Sequence, residues 1–362
     1  MNIDSILEED VTVKSYPIRV FTNMVDRKKI AITGASGFIG RFLVHEALKR
    51  DYNVYAIVRK STNIDSLQNK QINIVVIDFN NIIDVNNQIL AMPQFDYIIH
   101  GLGLTKAIKK EEFYHTNFQI TKTLIESLKV KNRVPSKFLY LSSLASYGPG
   151  VGFQMIKAES KPHPLTVYGK SKLVSEKFII NESKIPYLIF RPTAVYGGGD
   201  KDFLKIIKLL SSGLDLKIGK HKQVLTFIYV KDLARLIFDS LESTFVNKSY
   251  FVTDGNLYSH RDFSNCVSIL LNRKQIHFFF PVWTLKLIAG IAQFIAYIFK
   301  NKSLLRVDKI SELSALNWDC DIEPLVSDFK FKAEYNLIHG LEETLRWYQD
   351  IGWLKIQRNK II

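Results

Sequence analysis

Apolar and polar positions follow two different rhythms in the first half of the chain. Short apolar runs rich in β-branched and aromatic residues occur at 28–33, 53–58, 72–77, 95–100, 137–142 and 186–191. Between and after them lie amphipathic stretches with helical spacing, such as FIGRFLVHEALKR, EEFYHTNFQITKTLIESLKV and YGKSKLVSEKFIINES. Continuous apolar strands that alternate with such helices are typical of a parallel sheet covered on both faces. The pattern predicts an α/β doubly wound parallel sheet, the Rossmann fold.

The alternation weakens after about residue 192. Shorter segments follow, among them LTFIYVKDLARLIFDSL and SYFVTDG, and the C-terminal part contains GLEETLRWYQDIGWL. We expect a smaller, mainly helical substrate domain with a few strands returning to the edge of the sheet. The predicted division is an N-terminal extension at 1–27, a nucleotide-binding Rossmann domain at 28–192 and a substrate-binding region at 193–362.

Composition narrows the class of protein. The 362 residues are 47% hydrophobic and 23% charged, which is typical of a globular chain. A net charge of +14 favours anionic partners, yet the basic residues are scattered and not interleaved with aromatic residues, so no nucleic acid is expected. The two cysteines, Cys266 and Cys320, lie far apart without neighbouring histidines, which argues against a disulfide framework and a metal site. The N-terminus lacks the apolar core of a signal peptide, and a cytoplasmic location is expected.

Directly after the first apolar run stands GASGFIG, which opens the helical stretch that follows. Glycines at this point tighten the turn, let the backbone approach a pyrophosphate and let helix and strand pack closely, while the helix N-terminus offers amide donors to phosphates. The spacing is G-x-x-G-x-x-G, and strand before and helix after are the context that a dinucleotide site requires. The predicted phosphate-binding residues are Gly34, Ser36, Gly37, Phe38, Ile39 and Gly40.

The end of the second apolar run bears on the choice of cofactor. An acid about 20 residues beyond the last glycine is common in NAD sites, where it binds the ribose 2′-hydroxyl. Here Arg59 and Lys60 occupy that place. A guanidinium can bind a 2′-phosphate through two charge-assisted hydrogen bonds, so NADP(H) is favoured over NAD(H), with a solvated strand end as the alternative. Asp78, after the third run, is expected to meet the adenine amino group.

The segment TVYGKSK places Tyr168 and Lys172 on one face of a helix, one turn apart, and Ser143 stands 25 residues before Tyr168. Hydride transfer to a carbonyl needs a proton donor at the oxygen, and the reverse reaction needs a base. The ordinary pKa of tyrosine, about 10, is too high for a good base at neutral pH. We expect the Lys172 ammonium, aided by an oxidised nicotinamide, to lower the pKa of Tyr168, and Ser143 to hydrogen-bond the carbonyl oxygen.

Seven pieces in order, TGASGFIG, DYIIHGLG, NFQITKTLIES, YLSSLASYG, YGKSK, RPTAVYG and FIYVKDLA, resemble the extended short-chain dehydrogenase/reductase family of the epimerase/dehydratase type. The resemblance implies that Ser143, Tyr168 and Lys172 are catalytic and that Asn117 supports them. It places Pro192 and Thr193 against the nicotinamide, and the expected cofactor contacts also include Phe79, Gly101, Tyr168 and Lys172. Family members often dimerise through the two helices that hold EEFYHTNFQITKTLIES and YGKSKLVSEKF, so a homodimer is expected.

The substrate class follows from departures within that family. Sugar-nucleotide members typically carry an arginine just before the FIHV-like segment and a later RPGD-like run, whereas this chain has Leu225 and Thr226 and lacks the later run. A buried diphosphate without cations is costly, although Lys220, Lys222 or Arg261 could substitute. The C-terminal GLEETLRWYQDIGWL is similar to the dihydroflavonol reductase and 3β-hydroxysteroid dehydrogenase branch. This favours an apolar, lipid-like carbonyl substrate.

The stretch 278–299 is apolar nearly all round and is shortened as a helix by Pro281. Three interpretations stay open for it: a buried or pocket-covering helix, peripheral membrane contact through 281–299, or a marginal membrane span.

Three functions follow from these patterns. The favoured one is an NADP(H)-dependent oxidoreductase that interconverts a ketone and a secondary alcohol. The alternative is a nucleotide-sugar epimerase or dehydratase that retains its cofactor through turnover. The third is a non-catalytic NADP-binding module, against which the presence of Ser143, Tyr168 and Lys172 argues.

Overall fold

The computed structural model of the protein describes residues 27–298 and 307–355. The expected N-terminal extension therefore lies almost wholly outside the described residues. Eleven strands are present in the described part: β1 (Lys29–Thr33), β2 (Asn53–Val58), β3 (Ile72–Val76), β4 (Tyr97–His100), β5 (Lys137–Leu141), β6 (Tyr187–Pro192), β7 (Ala194–Tyr196), β8 (Leu214–Ile218), β9 (Phe227–Tyr229), β10 (Lys248–Val252) and β11 (Ile276–Phe280).

Twelve α-helices are described along with these strands. They are α1 (Phe38–Lys49), α2 (Ile82–Ala91), α3 (Lys110–Tyr114), α4 (Ile120–Val130), α5 (Val167–Phe178), α6 (Lys201–Ser211), α7 (Val230–Glu242), α8 (His260–Leu270), α9 (Val282–Ile298), α10 (Val307–Leu313), α11 (Glu323–Phe329) and α12 (Leu337–Asp350). None of the helices in the described residues is both long enough and apolar enough to cross a bilayer.

The central sheet has seven parallel strands in the order β10-β6-β5-β4-β1-β2-β3. Successive residues of β1 point to opposite faces, as strand geometry requires. Ile30 and Ile32 pack into a core with α1, α7 and α11, whereas Ala31 packs into a second core with α2, α4 and α5. Both faces of the sheet are thus covered by helices, and the predicted doubly wound fold is confirmed.

The chain changes direction across the sheet beside β1. It builds β2 and β3 on one side of β1 and then returns to place β4 on the other side. Ligands of doubly wound folds bind at such a switch point, outside the carboxyl ends of the strands. The carboxyl ends of β1 and β4 lead into Gly34 and Gly101, so the glycine turn lies at this place.

Residues beyond β6 form a second, smaller cluster. Two-stranded parallel sheets, β7 with β9 and β8 with β11, accompany α6, α8 and α12 around a separate apolar core. From the segment SYFVTDG, β10 joins the edge of the central sheet beside β6. The division of the chain at residue 192 stays a prediction.

The apolar stretch 278–299 is divided by Pro281. Residues before it form β11, which pairs in parallel with β8 over Ile276–Phe280, and residues after it form α9. Proline lacks an amide hydrogen and has a fixed φ, so it suits the start of a helix and not its interior. The sequence did not predict β11.

Candidate active site

The glycine turn after β1 packs so closely against neighbouring backbone that it has no room for side chains at two of its positions. Gly34 has a φ of +73°, and a Cβ there would lie 2.8 Å from the carbonyl carbon and oxygen of Gly101. A Cβ on Gly40 would lie 2.0 Å from the Gly34 carbonyl oxygen. The turn can close this tightly only because both positions are glycine.

The helix that follows the turn begins without a side-chain cap. Gly37 is the N-cap residue of α1 and provides no side-chain hydrogen bond to the first turn. The N-terminal amides of a helix can then bind an anion such as a pyrophosphate. The side chains of Phe38 and Ile39 pack partly into the smaller apolar core, so these residues would meet phosphates through their backbone. The turn fits a dinucleotide, with Ser36 half-buried beside it.

At the ribose end, Arg59 and Lys60 follow β2 directly and their side chains are exposed. The Arg59 amide donates to the Thr62 hydroxyl at 3.1 Å, which shapes the turn. Asp78 is also exposed, and its carboxylate accepts the Asn80 amide at 3.0 Å. Phe79, by contrast, is buried in the core that contains α2, so only its backbone faces this end.

Pro192 and Thr193 lie at the carboxyl end of β6. The Thr193 hydroxyl is hydrogen-bonded to the backbone carbonyl and the hydroxyl of Thr226, both at 2.8 Å. Pro192 is buried at the last position of β6. These contacts fix the backbone that the sequence predicts beside the nicotinamide.

Ser143 follows β5 and begins a short 3-10 turn at Leu144–Ser146. Its hydroxyl oxygen accepts the Ala145 amide at 3.2 Å. Tyr168 stands in the first turn of α5, whose N-cap Thr166 accepts the Gly169 amide at 3.1 Å. The structure brings Ser143 and Tyr168 close together, and the Ser143 side chain acts to lower the pKa of the Tyr168 phenol.

The electrostatics of Tyr168 differ from the prediction. Burial raises the pKa of the phenol to about 12, and the nearby Ser143 side chain only partly opposes this. The Lys172 ammonium donates to the Leu141 carbonyl at 2.8 Å and lies 4.6 Å from the centroid of the Tyr140 ring. Burial lowers the pKa of Lys172 to about 7. The side chains of the protein alone therefore do not lower the pKa of Tyr168, because the negative charges of Glu312 and Glu176 add to the desolvation of the phenolate.

Asn117 lies in a π-helical turn, His115–Gln119, between α3 and α4. It is fully buried, and its side-chain amide binds the backbone of Leu104 through two hydrogen bonds of 2.7 and 3.1 Å. The same amide donates to the Ser171 hydroxyl at 2.8 Å. Asn117 thus connects the loop after β4 to the helix that carries Tyr168 and Lys172, and its supporting role in catalysis stays a prediction.

One charged pair beneath this site was missed from the sequence. Glu176 and Arg191 form a buried ion pair with an Nε–Oε2 distance of 2.8 Å. The other carboxylate oxygen accepts hydrogen bonds from Ser142 and Ser146, on either side of Ser143. A signal existed for Glu176 alone, which stands four residues after Lys172 on the same helix face, whereas no pattern indicated Arg191 as its partner. Glu176 also raises the pKa of Lys172 against the larger effect of burial.

A further contribution comes from the C-terminal half. The Asp308 carboxylate of α10 accepts the Val167 amide at 3.3 Å, at the start of α5. The charge of Glu312 on the same helix raises the pKa of Tyr168. No sequence pattern pointed to α10, because the contact joins residues about 140 positions apart.

Residues 30–252 match the model of the NAD dependent epimerase/dehydratase family. The chain belongs to this family. The match spans the glycine turn, Ser143, Tyr168 and Lys172, and it extends to the last strand of the central sheet. The chain is therefore an enzyme of the epimerase/dehydratase family, and the resemblance stated from its motifs is confirmed.

Relatives within the family fall into both predicted substrate groups. UDP-glucose 4-epimerase of Vibrio cholerae is 27% identical over 304 residues, covering 80% of this chain and 90% of that protein. Ceramide reductase of Caulobacter vibrioides is 23% identical over 331 residues, covering 91% and 96%. A 3β-hydroxysteroid dehydrogenase/Δ5→4-isomerase of vaccinia virus is 25% identical over 353 residues, covering 88% and 98%.

Solved structures agree on the fold. UDP-glucuronic acid 4-epimerase from Bacillus cereus in complex with NAD superposes with a TM-score of 0.71 at 20% identity, covering 89% of this chain and 99% of that chain. At this identity the likeness shows the fold alone. The Rossmann-like α/β fold with its C-terminal helical region is thus shared with this solved structure.

Proposed function

We propose that the protein is an NADP(H)-dependent oxidoreductase that interconverts a ketone and a secondary alcohol on an apolar, lipid-like substrate. The observation that carries the proposal is the proximity of Ser143 and Tyr168 at the carboxyl ends of the strands, next to a turn that fits a dinucleotide. A proton donor at that place can serve a carbonyl group that accepts a hydride.

In the reductive direction, the bound nicotinamide supplies the hydride. The substrate carbonyl carbon accepts it, the C=O π electrons move to oxygen, and Tyr168 donates its phenolic proton to that oxygen. Ser143 donates a hydrogen bond to the same oxygen as negative charge builds there. A phenol with a pKa raised to about 12 is protonated at neutral pH, so it is ready to act as the acid. In the oxidative direction, the positive charge of the nicotinamide and of protonated Lys172 would favour the phenolate.

Support for an apolar substrate comes from the place where sugar-nucleotide members carry their arginine. Leu225 packs against the smaller apolar core, and the Thr226 hydroxyl, in the interior, donates to the Trp318 carbonyl at 2.9 Å. The three cations that could substitute, Lys220, Lys222 and Arg261, have exposed side chains. A buried diphosphate would find no cation at 225–226, and such burial is unfavourable.

The preference for NADP(H) rests on Arg59 and Lys60. Both are exposed directly after β2, at the carboxyl edge of the sheet where the glycine turn also lies. Their positive charges suit a 2′-phosphate and leave no carboxylate to bind a 2′-hydroxyl. We also propose a homodimer, formed through the face of α3, α4 and α5.

A second candidate function is nucleotide-sugar epimerisation, which the similarity to the Vibrio cholerae UDP-glucose 4-epimerase favours. The two functions differ in what happens to the cofactor. A reductase consumes NADPH in proportion to product, whereas an epimerase keeps its nicotinamide bound and returns it to its starting state in each turnover.

The test incubates the purified protein with NADPH and a panel of three compounds: a steroid ketone, a long-chain acyl ketone and UDP-glucose. The proposal expects stoichiometric loss of NADPH absorbance with at least one ketone. Conversion of UDP-glucose to its C4 epimer without net NADPH consumption would establish the second function instead.

The Tyr168→Phe variant tests the acid. Turnover should fall about a thousandfold, because a positioned general acid contributes about 10²- to 10⁴-fold, while NADPH binding changes little. Tyr187→Phe is the matched control. Tyr187 lies at the amino end of β6, away from the site, so this variant should keep normal turnover. Near-normal turnover in Tyr168→Phe would exclude Tyr168 as the proton donor.

A further inference from the structure

Exposed large apolar side chains concentrate on β11 and the first half of α9, hereafter the β11–α9 face. All five residues of β11 are exposed, including Phe278, Phe279 and Phe280 in a row. On α9, Trp283 is 69% exposed, and the exposed apolar side chains continue with Leu287, Ile288 and Ile291. Contiguous exposed apolar residues of this size mark a surface that binds a partner or a membrane.

The charged residues of the segment that forms this face all have one sign. No acidic residue occurs between Arg273 and Ala292, where Arg273, Lys274 and Lys286 are exposed. The paired strand β8 leads into further basic residues, and the Lys220 ammonium lies 5.9 Å from the centroid of the Phe279 ring. The combination of aromatic side chains and lysines is typical of segments that lie in the interface of a bilayer with anionic lipids.

The carboxylates near this face are already bound. Asp215 of β8 is buried and accepts hydrogen bonds from His260 and His277, at 2.7 and 2.8 Å. Asp262 caps the start of α8 through Ser259. They leave the basic residues to dominate the charge of the face.

We infer that the β11–α9 face docks on the surface of a lipid bilayer that carries anionic headgroups. Charge decides between this occupant and a second copy of the chain. Two copies joined through this face would bring their lysines together, and like charges at an interface repel. Anionic headgroups neutralise the same lysines, while Trp283 and the phenylalanines enter the apolar boundary below them.

The face is connected to the candidate active site through α10. This helix packs against α9 on one side and reaches the start of α5 through Asp308 and Val167 on the other. A lipid-like substrate would then enter from the bilayer, a consequence that rests on the proposed function. Binding to the bilayer itself does not depend on it.

The experiment measures flotation of the full-length protein with vesicles of phosphatidylcholine alone and of phosphatidylcholine mixed with phosphatidylglycerol. The protein should bind the mixed vesicles more tightly, and added salt should weaken this binding because it screens the lysines. Equal binding to both vesicle types, or binding to neither, would overturn the proposal.

Variants at Trp283 sharpen the test. Trp283→Glu should lower the partition to mixed vesicles about tenfold, because a charge replaces an aromatic side chain in the interface. Trp283→Phe should keep the binding but lose most of the blue shift in tryptophan fluorescence, since the other three tryptophans are half-buried elsewhere. The matched control is Ile83→Glu on α2, where Ile83 is 68% exposed.

Two further measurements separate the alternatives. If sedimentation without lipid shows that Trp283→Glu dissociates an oligomer, a second copy covers the face and the inference is wrong. Consumption of NADPH with a ketone of the panel dispersed in detergent should be the same in Trp283→Glu and in the unchanged protein. Loss of vesicle binding with that activity intact separates this proposal from the proposed function.

Discussion

The glycine turn after β1 and the β11–α9 face differ in how closely other parts of the protein pack against them. In the turn, a single added carbon on Gly40 would lie 2.0 Å from a backbone oxygen. On α9, no described atom beyond the chain neighbours of Gly290 and the adjacent backbone of its own helix lies within 4 Å of the place where a Cβ on Gly290 would stand. The turn is constrained by the fold itself, whereas the face is open to whatever lies outside the chain. The sequence of the turn is thus constrained by the backbone path, whereas the sequence of the β11–α9 face is not constrained by packing within the described part of the chain.

The largest expected effect comes from a substitution within the turn. Gly40→Ala forces a Cβ against the Gly34 oxygen, so we expect a loss of at least about 3 kcal/mol in the free energy of unfolding and loss of dinucleotide binding. Gly290→Ala is the matched control and should raise stability by about 0.5–1 kcal/mol, because alanine suits a helix interior better than glycine. Urea denaturation measures both. Equal changes in the two variants would remove the contrast between the regions.

The next largest effect is expected from the buried ion pair of Glu176 and Arg191. Glu176→Gln leaves the buried Arg191 without a counter-charge, which should cost about 3 kcal/mol of stability. It should also lower the pKa of Lys172 further, since Glu176 raises it. The pH profile of turnover should then change, which a purely structural role would not produce. Glu126→Gln, on the exposed side of α4, is the control and should change neither quantity.

Arg59→Asp changes the charge at the ribose end. The ratio of turnover efficiency with NADPH to that with NADH should fall at least about tenfold, because a carboxylate repels the 2′-phosphate and can bind the 2′-hydroxyl. Lys70→Asp makes the same charge change at the amino end of β3, across the sheet, and should leave the ratio alone. Steady-state kinetics with NADPH and with NADH measures this ratio for each variant. An unchanged ratio in Arg59→Asp would refute the assigned 2′-phosphate contact.

Per pH unit, the smallest effect is a pH dependence of stability from Lys172. Its pKa is about 7 in the folded protein against 10.5 ordinarily, so between these values the unfolded chain binds a proton that the folded protein does not. Stability should rise with pH in that window by up to about 1.4 kcal/mol per pH unit, and it should fall again as the pH is lowered to 7. Lys172→Met should lose this slope. Urea denaturation is measured below pH about 10, the ordinary pKa of tyrosine, so that Tyr168 does not contribute to the slope. Equal slopes of stability against pH in the unchanged protein and in Lys172→Met would contradict the burial of the Lys172 amine.

Much of the first half was predictable because its signals are local. A buried parallel strand must be apolar along its length, so the run 53–58 matches β2 to the residue. The glycine turn was predictable because only glycine allows that backbone path. Tyr168 and Ser143 were identified from their spacing and from the family resemblance, and the fold places them close together.

What the sequence did not predict depends on distant parts of the chain. β11 was missed because three phenylalanines before a proline look like the start of a buried helix, while its actual partner, β8, lies about 60 residues earlier. The direction of the pKa shift of Tyr168 was wrong for the protein alone because burial is a property of the whole fold. The Glu176–Arg191 pair joins a helix to a strand, and no periodic pattern records such a contact.

The π-helical turn around Asn117 makes this region sensitive to length as well as to composition. The Ile120 amide reaches back five residues to His115, so the turn holds one residue more than an α-helix would. Deleting one residue there would restore ordinary helical hydrogen bonding and turn side chains within the segment by up to about 100° around the helix axis, while α3 and α4 keep their alignment, because a π-turn accommodates one inserted residue. Asn117 would swing away from Leu104 and Ser171, even though every remaining amino acid was unchanged. The extra residue thus sets the direction of the Asn117 side chain. Deletion of one residue at this point would disturb the contacts between the loop after β4 and α5 more than most single substitutions would.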